Sequence, residues 1–261
     1  MTKTLYLEDS YMRECDATVS ATIDGKNVVL DQTVFYPRGG GQPGDTGKIF
    51  VGDSSAELRV LNVSKRDGRI LHELDRAVQD SELKAQDRVH LVLDWERRYR
   101  LMRMHTAAHM LAATMNRELG VLITGNELGE ERTRFDFNTE NFDRAVFDDI
   151  VKKANESLSR DVELKIYTLP REEAMKIPGV VKLAALLPGA PGNGPIFGPA
   201  KNRVALPPAI TELRIVEIPD VDIQADGGTH VRNLKEVGQI ELLKLENKGK
   251  TNRRIYFTLR S

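Results

Sequence analysis

The segment Trp95–Leu119 constrains this chain more than any other. It reads WERRYRLMRMHTAAHMLAATMNREL, without proline or glycine and rich in Leu, Met, Ala, Arg and Glu, which are the strong helix formers. On a helical projection Leu101, Met104, Ala108, Leu111, Ala112, Met115 and Leu119 form one apolar stripe, while Arg100, Arg103, Arg117 and Glu118 face away. His105 and His109 lie along the edge of that stripe. A spacing of four residues is about 40° around a helix, so both imidazoles can reach one metal ion. Such a pair is half a metal site, and chance also produces it.

The complement has one source. Of the five histidines, His72 and His90 stand alone in strand-like or charged surroundings, whereas His230 closes Asp226-Gly227-Gly228-Thr229-His230. The two glycines argue against helix and for a tight turn that sets Asp226 beside His230. His105, His109, His230 and Asp226 offer three nitrogens and one oxygen. That set suits tetrahedral zinc, or three protein ligands plus water if Asp226 stands off.

The remaining chain falls into two parts. Residues 4–90 read as β, with strands at 18–23 and 27–30 flanking the Asp24-Gly25 turn, and more at 47–51, 56–63 and 70–73. Several short strands at regular spacing suggest a small barrel. Helical periodicity begins only near Trp95, so a boundary is expected near residue 90, dividing the chain into 1–90 and 91–261. Within the second part, 132–137 alternates as a strand. Residues 139–160 form an amphipathic helix with Phe142, Val146, Ile150, Ala154 and Leu158 on one face. Strands at 162–169 and 212–218, a short helix at 171–176 and a final hairpin of 239–245 with 253–259 complete an α+β class, with helices packed on an antiparallel sheet. Between them, 178–208 is a Pro/Gly-rich insertion holding seven of the eleven prolines. A connection of that length is a lid, an interaction arm or a mobile segment.

Composition excludes several functions. With 40% hydrophobic and 30% charged residues the chain is that of an ordinary globular protein. No apolar run approaches the ~18 residues of a membrane span, and Met1-Thr2-Lys3-Thr4-Leu5-Tyr6 is no signal peptide. The one cysteine, Cys15, sits in an expected strand and precludes internal disulfides; a cytoplasmic location without membrane partners follows as the expectation. A net charge of −1 carries no global nucleic-acid signature. Local clusters exist at Arg97, Arg98, Arg100 and Arg103, and at Lys248, Lys250, Arg253 and Arg254; each is a solvated face or a phosphate-binding surface.

The segment Tyr36-Pro37-Arg38-Gly39-Gly40-Gly41-Gln42-Pro43-Gly44-Asp45-Thr46-Gly47 contains Gly39-x-Gly41-x-x-Gly44. A dinucleotide fingerprint needs a helix directly after it; Pro43 and the strand-like 45–51 argue against that. A phosphate-binding P-loop fails too, because Gly47-Lys48 is followed by Ile49.

Taken in order, the glycine-rich segment, His105-x-x-x-His109, Arg134-Phe135-Asp136-Phe137 and Gly227-Gly228-Thr229-His230 resemble the editing domain of alanyl-tRNA synthetase. The chain, from Leu5 to Phe257, resembles the freestanding alanyl-tRNA editing proteins of the AlaX type in their medium-length form. The resemblance implies an N-terminal barrel and a zinc-dependent editing domain. It further implies hydrolysis of mischarged tRNA(Ala), chiefly the seryl and also the glycyl species, and recognition of the tRNA(Ala) acceptor end. By the same resemblance Gly40, Gly41, Gln42 and Asp45 belong to a loop over the substrate. Thr106 would meet the serine hydroxyl. Arg97, Arg98, Arg100, Lys248, Lys250 and Arg253 are candidate tRNA contacts. A monomer or a homodimer is compatible with all of this. One departure stands out: the family pattern usually carries cysteine four residues before the last histidine, where this chain has Asp226. Two alternatives stay open, a tRNA-binding module of the same fold that has lost catalysis and a zinc hydrolase of small esters. A peptidase is disfavoured because His105 is followed by Thr106, not by the glutamate base of His-Glu-x-x-His.

Overall fold

The computed structural model describes residues 1–52, 57–121, 123–139, 143–178, 180, 211–249 and 252–260. Phe142, Lys250 and nearly all of the 178–208 insertion lie outside the described residues. The chain divides into two compact units, Met1–Leu101 and Met102–Ser261.

The first unit contains β1 (Lys3–Thr4), α1 (Leu5–Glu8), β2 (Glu14–Ile23), β3 (Asn27–Leu30), β4 (Gln32–Thr33), β5 (Gly47–Val51), β6 (Glu57–Arg66), β7 (Arg69–Leu74) and β8 (Arg88–Leu93). Six strands hydrogen-bond in the cyclic order β2-β3-β7-β6-β5-β8, with β8 returning to β2, which makes a closed barrel; β1 and β4 pair separately. The turns that close its hairpins use left-handed residues, Asp24 and Gly25 between β2 and β3, and Asp67 and Gly68 between β6 and β7. Alternation along the strands sends Val19, Val28, Leu30, Ile49, Leu58, Val60, Val63, Leu74 and Leu91 into one core. A boundary near residue 90 would cut β8, whose ladders to β2 and β5 tie it to this unit. The division instead lies inside the following helix.

That helix, α2 (Trp95–Leu119), is followed in the second unit by β9 (Ile123–Glu127), β10 (Thr133–Asn138), α3 (Arg144–Leu158), β11 (Lys165–Pro170), α4 (Arg171–Ala174), β12 (Glu212–Ile218), β13 (Asp222–Ala225), β14 (Gln239–Asn247) and β15 (Asn252–Arg260). Two antiparallel sheets result, β14-β15-β10-β9 and β11-β12-β13. A helix with one apolar stripe is not what forms: from Leu101 to Met115 every residue except Arg103 is buried, whereas Leu119 at the stripe's far end is 38% exposed. The intervening positions are filled by Ala, Met, Thr and His, so the helix is enclosed on all faces. In α3 the expected face also shifts. Val146 is exposed, and Phe147, Ile150, Ala154 and Leu158 are buried; the helix starts at an Asp143 N-cap whose carboxylate accepts from Ala145 N–H. Asn155 pins α3 to β14 by a reciprocal amide pair with Ile240, 2.9 and 2.7 Å.

Candidate metal centre

Two elements of the second unit build the site. Helix α2 carries His105, Thr106 and His109, all enclosed by the chain. Opposite stands the β12–β13 hairpin, registered by Ile218 against Asp222 and Ile215 against Ala225. Residues two apart on a strand share a face, and Asp222 and Gln224 are both buried. The next position in that series is Asp226, at the start of the Gly-Gly-Thr-His turn.

The Asp226 carboxylate divides its work. Its Oδ1 accepts the Gly228 N–H, an Asx-type turn, while Arg214 Nη1 donates to the carbonyls of Asp226 and Gly228 at 2.9 and 3.0 Å. Its Oδ2 faces three imidazoles: His109 Nε2 at 3.0 Å, His105 Nε2 at 3.3 Å and His230 Nε2 at 3.9 Å. The ring centroids are 4.2 to 5.0 Å apart. Gly228 has to be glycine, because a Cβ there would fall on the His105 ring and 3.0 Å from Asp226 Oδ1.

Four donor atoms, one per residue, lie within 4.8 Å of one another. The edge of a tetrahedron with ~2.0–2.1 Å metal–ligand bonds is about 3.4 Å, close to the separations around Oδ2. His230 Nε2 is buried and has no hydrogen-bond partner among the described residues, which is costly unless something else satisfies it. The donor set and its spacing therefore fit a divalent ion such as zinc. The electrostatics agree. Burial opposes ionisation of Asp226, yet the charge of His105 and the close approach of the three histidines hold it well below the usual carboxylate range. Burial, with the neighbouring histidines, keeps His230 well below its ordinary value and lowers His105. His109 goes the other way: burial lowers it, but hydrogen bonds to Asp222 and Asp226 outweigh that and raise it to about 9. Asp226 ionised and His105 and His230 neutral are the donor states a metal needs, and His109 joins them by giving up its Nε2 hydrogen.

Comparison with known proteins agrees with this geometry. Residues 213–256 match the family described as threonyl and alanyl tRNA synthetase second additional domain, and residues 6–97 match that of class II (A) tRNA synthetases. An alanyl-tRNA editing protein AlaX-M of Saccharolobus solfataricus is 46% identical over 261 residues, covering the whole of both chains. The AlaX-M protein of Methanosarcina barkeri is 46% identical over 99% of each. The chain belongs to the AlaX-M family of alanyl-tRNA editing proteins. It also aligns, at 36% identity, with 24% of the longer alanine–tRNA ligase of Ignicoccus hospitalis.

Other residues singled out from the sequence of this family member take varied positions. Thr106 Oγ1 is 3.2 Å from His230 Nδ1 and accepts from Val231 N–H at 3.4 Å. In the first unit Gly40 and Gly41 form an exposed turn at φ 58° and 90°, left-handed values that favour glycine. Gln42 is buried. Asp45 and Arg98 correct the sequence expectation of a substrate contact and a tRNA contact. Both are fully enclosed and paired with each other, Nε to each carboxylate oxygen at 3.1 Å, with Arg98 also donating to the carbonyls of Ser10 and Val34. A side chain so placed cannot meet phosphate. Arg253 is corrected likewise: it is buried, and its Nη1 donates to Asn247 Oδ1 and the Gly249 carbonyl, closing the β14–β15 turn. Arg97 and Arg100 are half-buried, Lys248 is exposed and paired with Glu246 at 2.9 Å, and Lys250 is outside the described residues.

The residue that sequence reasoning missed is Asp222, whose Oδ2 lies 3.0 Å from His109 Nδ1 and 2.6 Å from Gln224 Nε2. Its signal was present as Asp222-x-Gln224-x-Asp226, a polar alternation interleaved with Val221, Ile223 and Ala225.

Proposed function

We propose that this chain is a trans-editing deacylase that hydrolyses the aminoacyl ester of mischarged tRNA(Ala), chiefly the seryl and also the glycyl species, at a zinc centre held by His105, His109, His230 and Asp226. The observation that carries the reading is the convergence of three imidazole Nε2 atoms on one carboxylate oxygen in an enclosed site. The names of the full-length relatives support the substrate class. When bound, zinc supplies Lewis acidity, either to a water that attacks the ester or to the amine and carbonyl of the aminoacyl group.

The chain's own residues do the rest. Asp226 is anchored by Gly228 N–H and presents its second oxygen in a fixed direction. With a side chain 12% exposed, against 0–1% for the histidines, it marks the solvent side of the cluster, by which a tRNA 3′ end would enter. Enclosure of the imidazoles excludes bulk water and strengthens every charge interaction inside. Thr106 is the proposed serine reader. Its two acceptor positions go to Val231 N–H and His230 Nδ1–H, which leaves the hydroxyl proton for a serine oxygen. Alanine fits any pocket that admits serine, so discrimination has to come from such a polar group, not from size. In the first unit Gly40, Gly41 and Gln42 are proposed as substrate contacts, and Arg97, Arg100, Lys248 and Lys250 as contacts to tRNA phosphates.

Deacylation of Ser-, Gly- and Ala-tRNA(Ala), alongside a chromogenic acetate ester, tests the reading. The seryl species should be cleaved fastest, and the activity should vanish with a chelator and with His230→Ala. Turnover of the small ester with tRNA substrates left intact would overturn it.

A further inference from the structure

We infer that Asp222 is a positioning residue of this centre: together with Gln224 it holds His109 with Nδ1–H turned away and Nε2 turned toward Asp226. The inference rests on the metal reading proposed above and goes beyond it to a carboxylate that is not itself one of the four donors.

The hydrogen-bond directions follow from chemistry. A carboxylate only accepts, so the ring nitrogen facing Asp222 Oδ2 at 3.0 Å donates. The Gln224 contact to the same oxygen is 2.6 Å; an amide oxygen there would face a carboxylate oxygen, so the amide nitrogen must be the atom that points at it. Gln224 thus donates to Asp222, and Asp222 accepts from His109. A neutral imidazole carries one N–H. By the same rule for carboxylates, Nε2 donates to Asp226 Oδ2 at 3.0 Å while the ring carries both hydrogens; with Nδ1–H held by Asp222, Nε2 is the nitrogen that gives up its hydrogen to become a metal donor. Carboxylate–histidine–metal arrangements of this kind orient the ring and raise its basicity as a ligand.

Placement makes the contact rigid. The Asp222 side chain is 1% exposed, and its backbone is registered opposite Ile218 at the hairpin end, two residues after Asp220 at φ 64°. Strand alternation then commits Gln224 to the same face and delivers the chain to Asp226. One short strand and the residue directly after it therefore carry the supporting carboxylate for His109 and the donor that faces all three histidines. A purely structural Asp222 would satisfy the hairpin and leave zinc affinity alone.

The test uses the full chain and zinc itself. Affinity is measured by competition with a chromogenic chelator for the wild type, Asp222→Ala, Asp222→Asn and Gln224→Leu, with thermal melts to confirm folding. Proton–nitrogen spectra of the zinc-loaded proteins report the His109 Nδ1–H. Wild type should bind one zinc and show that hydrogen in slow exchange. Asp222→Ala should weaken zinc by about 10–100-fold and lose the signal. Asp222→Asn, which keeps the acceptor without the charge, should recover part of both, and Gln224→Leu should show a smaller loss. If Asp222→Ala unfolds, Asp222→Asn and Gln224→Leu decide the matter by the same two readouts. Zinc affinity and Nδ1–H signal unchanged in the folded variants would overturn the role of Asp222 while leaving the metal centre standing. Absence of zinc binding by the wild type would overturn the metal reading itself, and this inference with it.

Discussion

Replacing Asp45 by alanine separates two accounts of the glycine-rich segment. Sequence spacing makes Asp45 a polar contact for substrate; the structure makes it the counter-charge of a fully buried Arg98. Removing the carboxylate leaves the guanidinium, among the described residues, with the carbonyls of Ser10 and Val34, and it removes the acceptor that Asp45 offers the Tyr36 N–H. Breaking a buried pair from one side costs about 3–5 kcal/mol, and loss of the hydrogen bond to the Tyr36 N–H adds about 1 kcal/mol. With a urea slope of about 1–3 kcal/mol per molar, the unfolding midpoint of the first unit should fall by about 1.3 M or more. Asp45→Asn, which keeps an acceptor for Tyr36, should lose less. The double variant Arg98→Met with Asp45→Leu should cost less than the sum of its parts, because no lone charge stays buried. Urea unfolding followed through Trp95 fluorescence measures these values, and seryl-tRNA deacylation at low temperature measures the chemistry. Where Asp45→Ala is still folded, kcat/KM should be near that of the wild type. An Asp45→Ala protein with an unchanged midpoint but a lost preference for the seryl species would refute the structural account and restore the substrate contact.

Three further outcomes are expected. Burial pulls His72 from its ordinary value of 6.5 to about 4, against a backbone hydrogen bond to Val28 that opposes the shift. The unfolded chain then takes up a proton before the folded one, so stability is complete above pH ~6.5 and declines toward pH ~4, by at most about 3 kcal/mol. Urea midpoints of the first unit at pH 7 and pH 5 should show the decline, and His72→Gln should flatten it. Gly228→Ala drives a methyl into the His105 ring, so zinc stoichiometry by elemental analysis should drop while the melting temperature changes little; full stoichiometry would contradict the assigned geometry. Thr106→Val removes the hydroxyl at nearly constant volume. The seryl-to-alanyl deacylation ratio should fall by the equivalent of about 1–3 kcal/mol, Thr106→Ser should retain it, and single-turnover assays of both substrates read it directly.

Local signals were legible in the sequence and distributed ones were not. The histidine helix, the Asp24-Gly25 turn and the strands Gly47–Val51 and Glu212–Ile218 stand where spacing puts them, since each depends on residues adjacent along the chain. So does the convergence of His105 and His109 with Asp226 and His230, because four chemically distinctive residues allow few partners. Burial of charge is different. Arg98 and Arg253 read like their exposed neighbours, and only tertiary pairing with Asp45 and with the Asn247–Gly249 turn takes them out of solvent. Nothing local to Arg97-Arg98 marks one as half-buried and the other as enclosed. The phase of α3 fails for a related reason: Val146 and Phe147 are both apolar, and contact with the sheet selects Phe147.

Asp226 stands where the family pattern usually has cysteine, and its two oxygens explain how the turn accommodates it. A donor at this position has to hold the chain in a tight bend and also face three imidazoles. The carboxylate does the first with Oδ1, which takes the Gly228 N–H, and the second with Oδ2. The bend places His230 beside its own fourth predecessor, and Thr106 reaches across from α2 to hold the far nitrogen of that ring. Each role depends on register. A slip of one residue along β13 would turn Val221, Ile223 and Ala225 toward His109 and send Asp222, Gln224 and Asp226 to the opposite face. The apolar residues on that opposite face resist such a slip: Ile223 and Ala225 pack against the cluster of Ala174, Val180, Leu213 and Ile215. The same alternation that buries this small core therefore sets the carboxylates, and a cavity on the apolar side would be felt at the donor atoms.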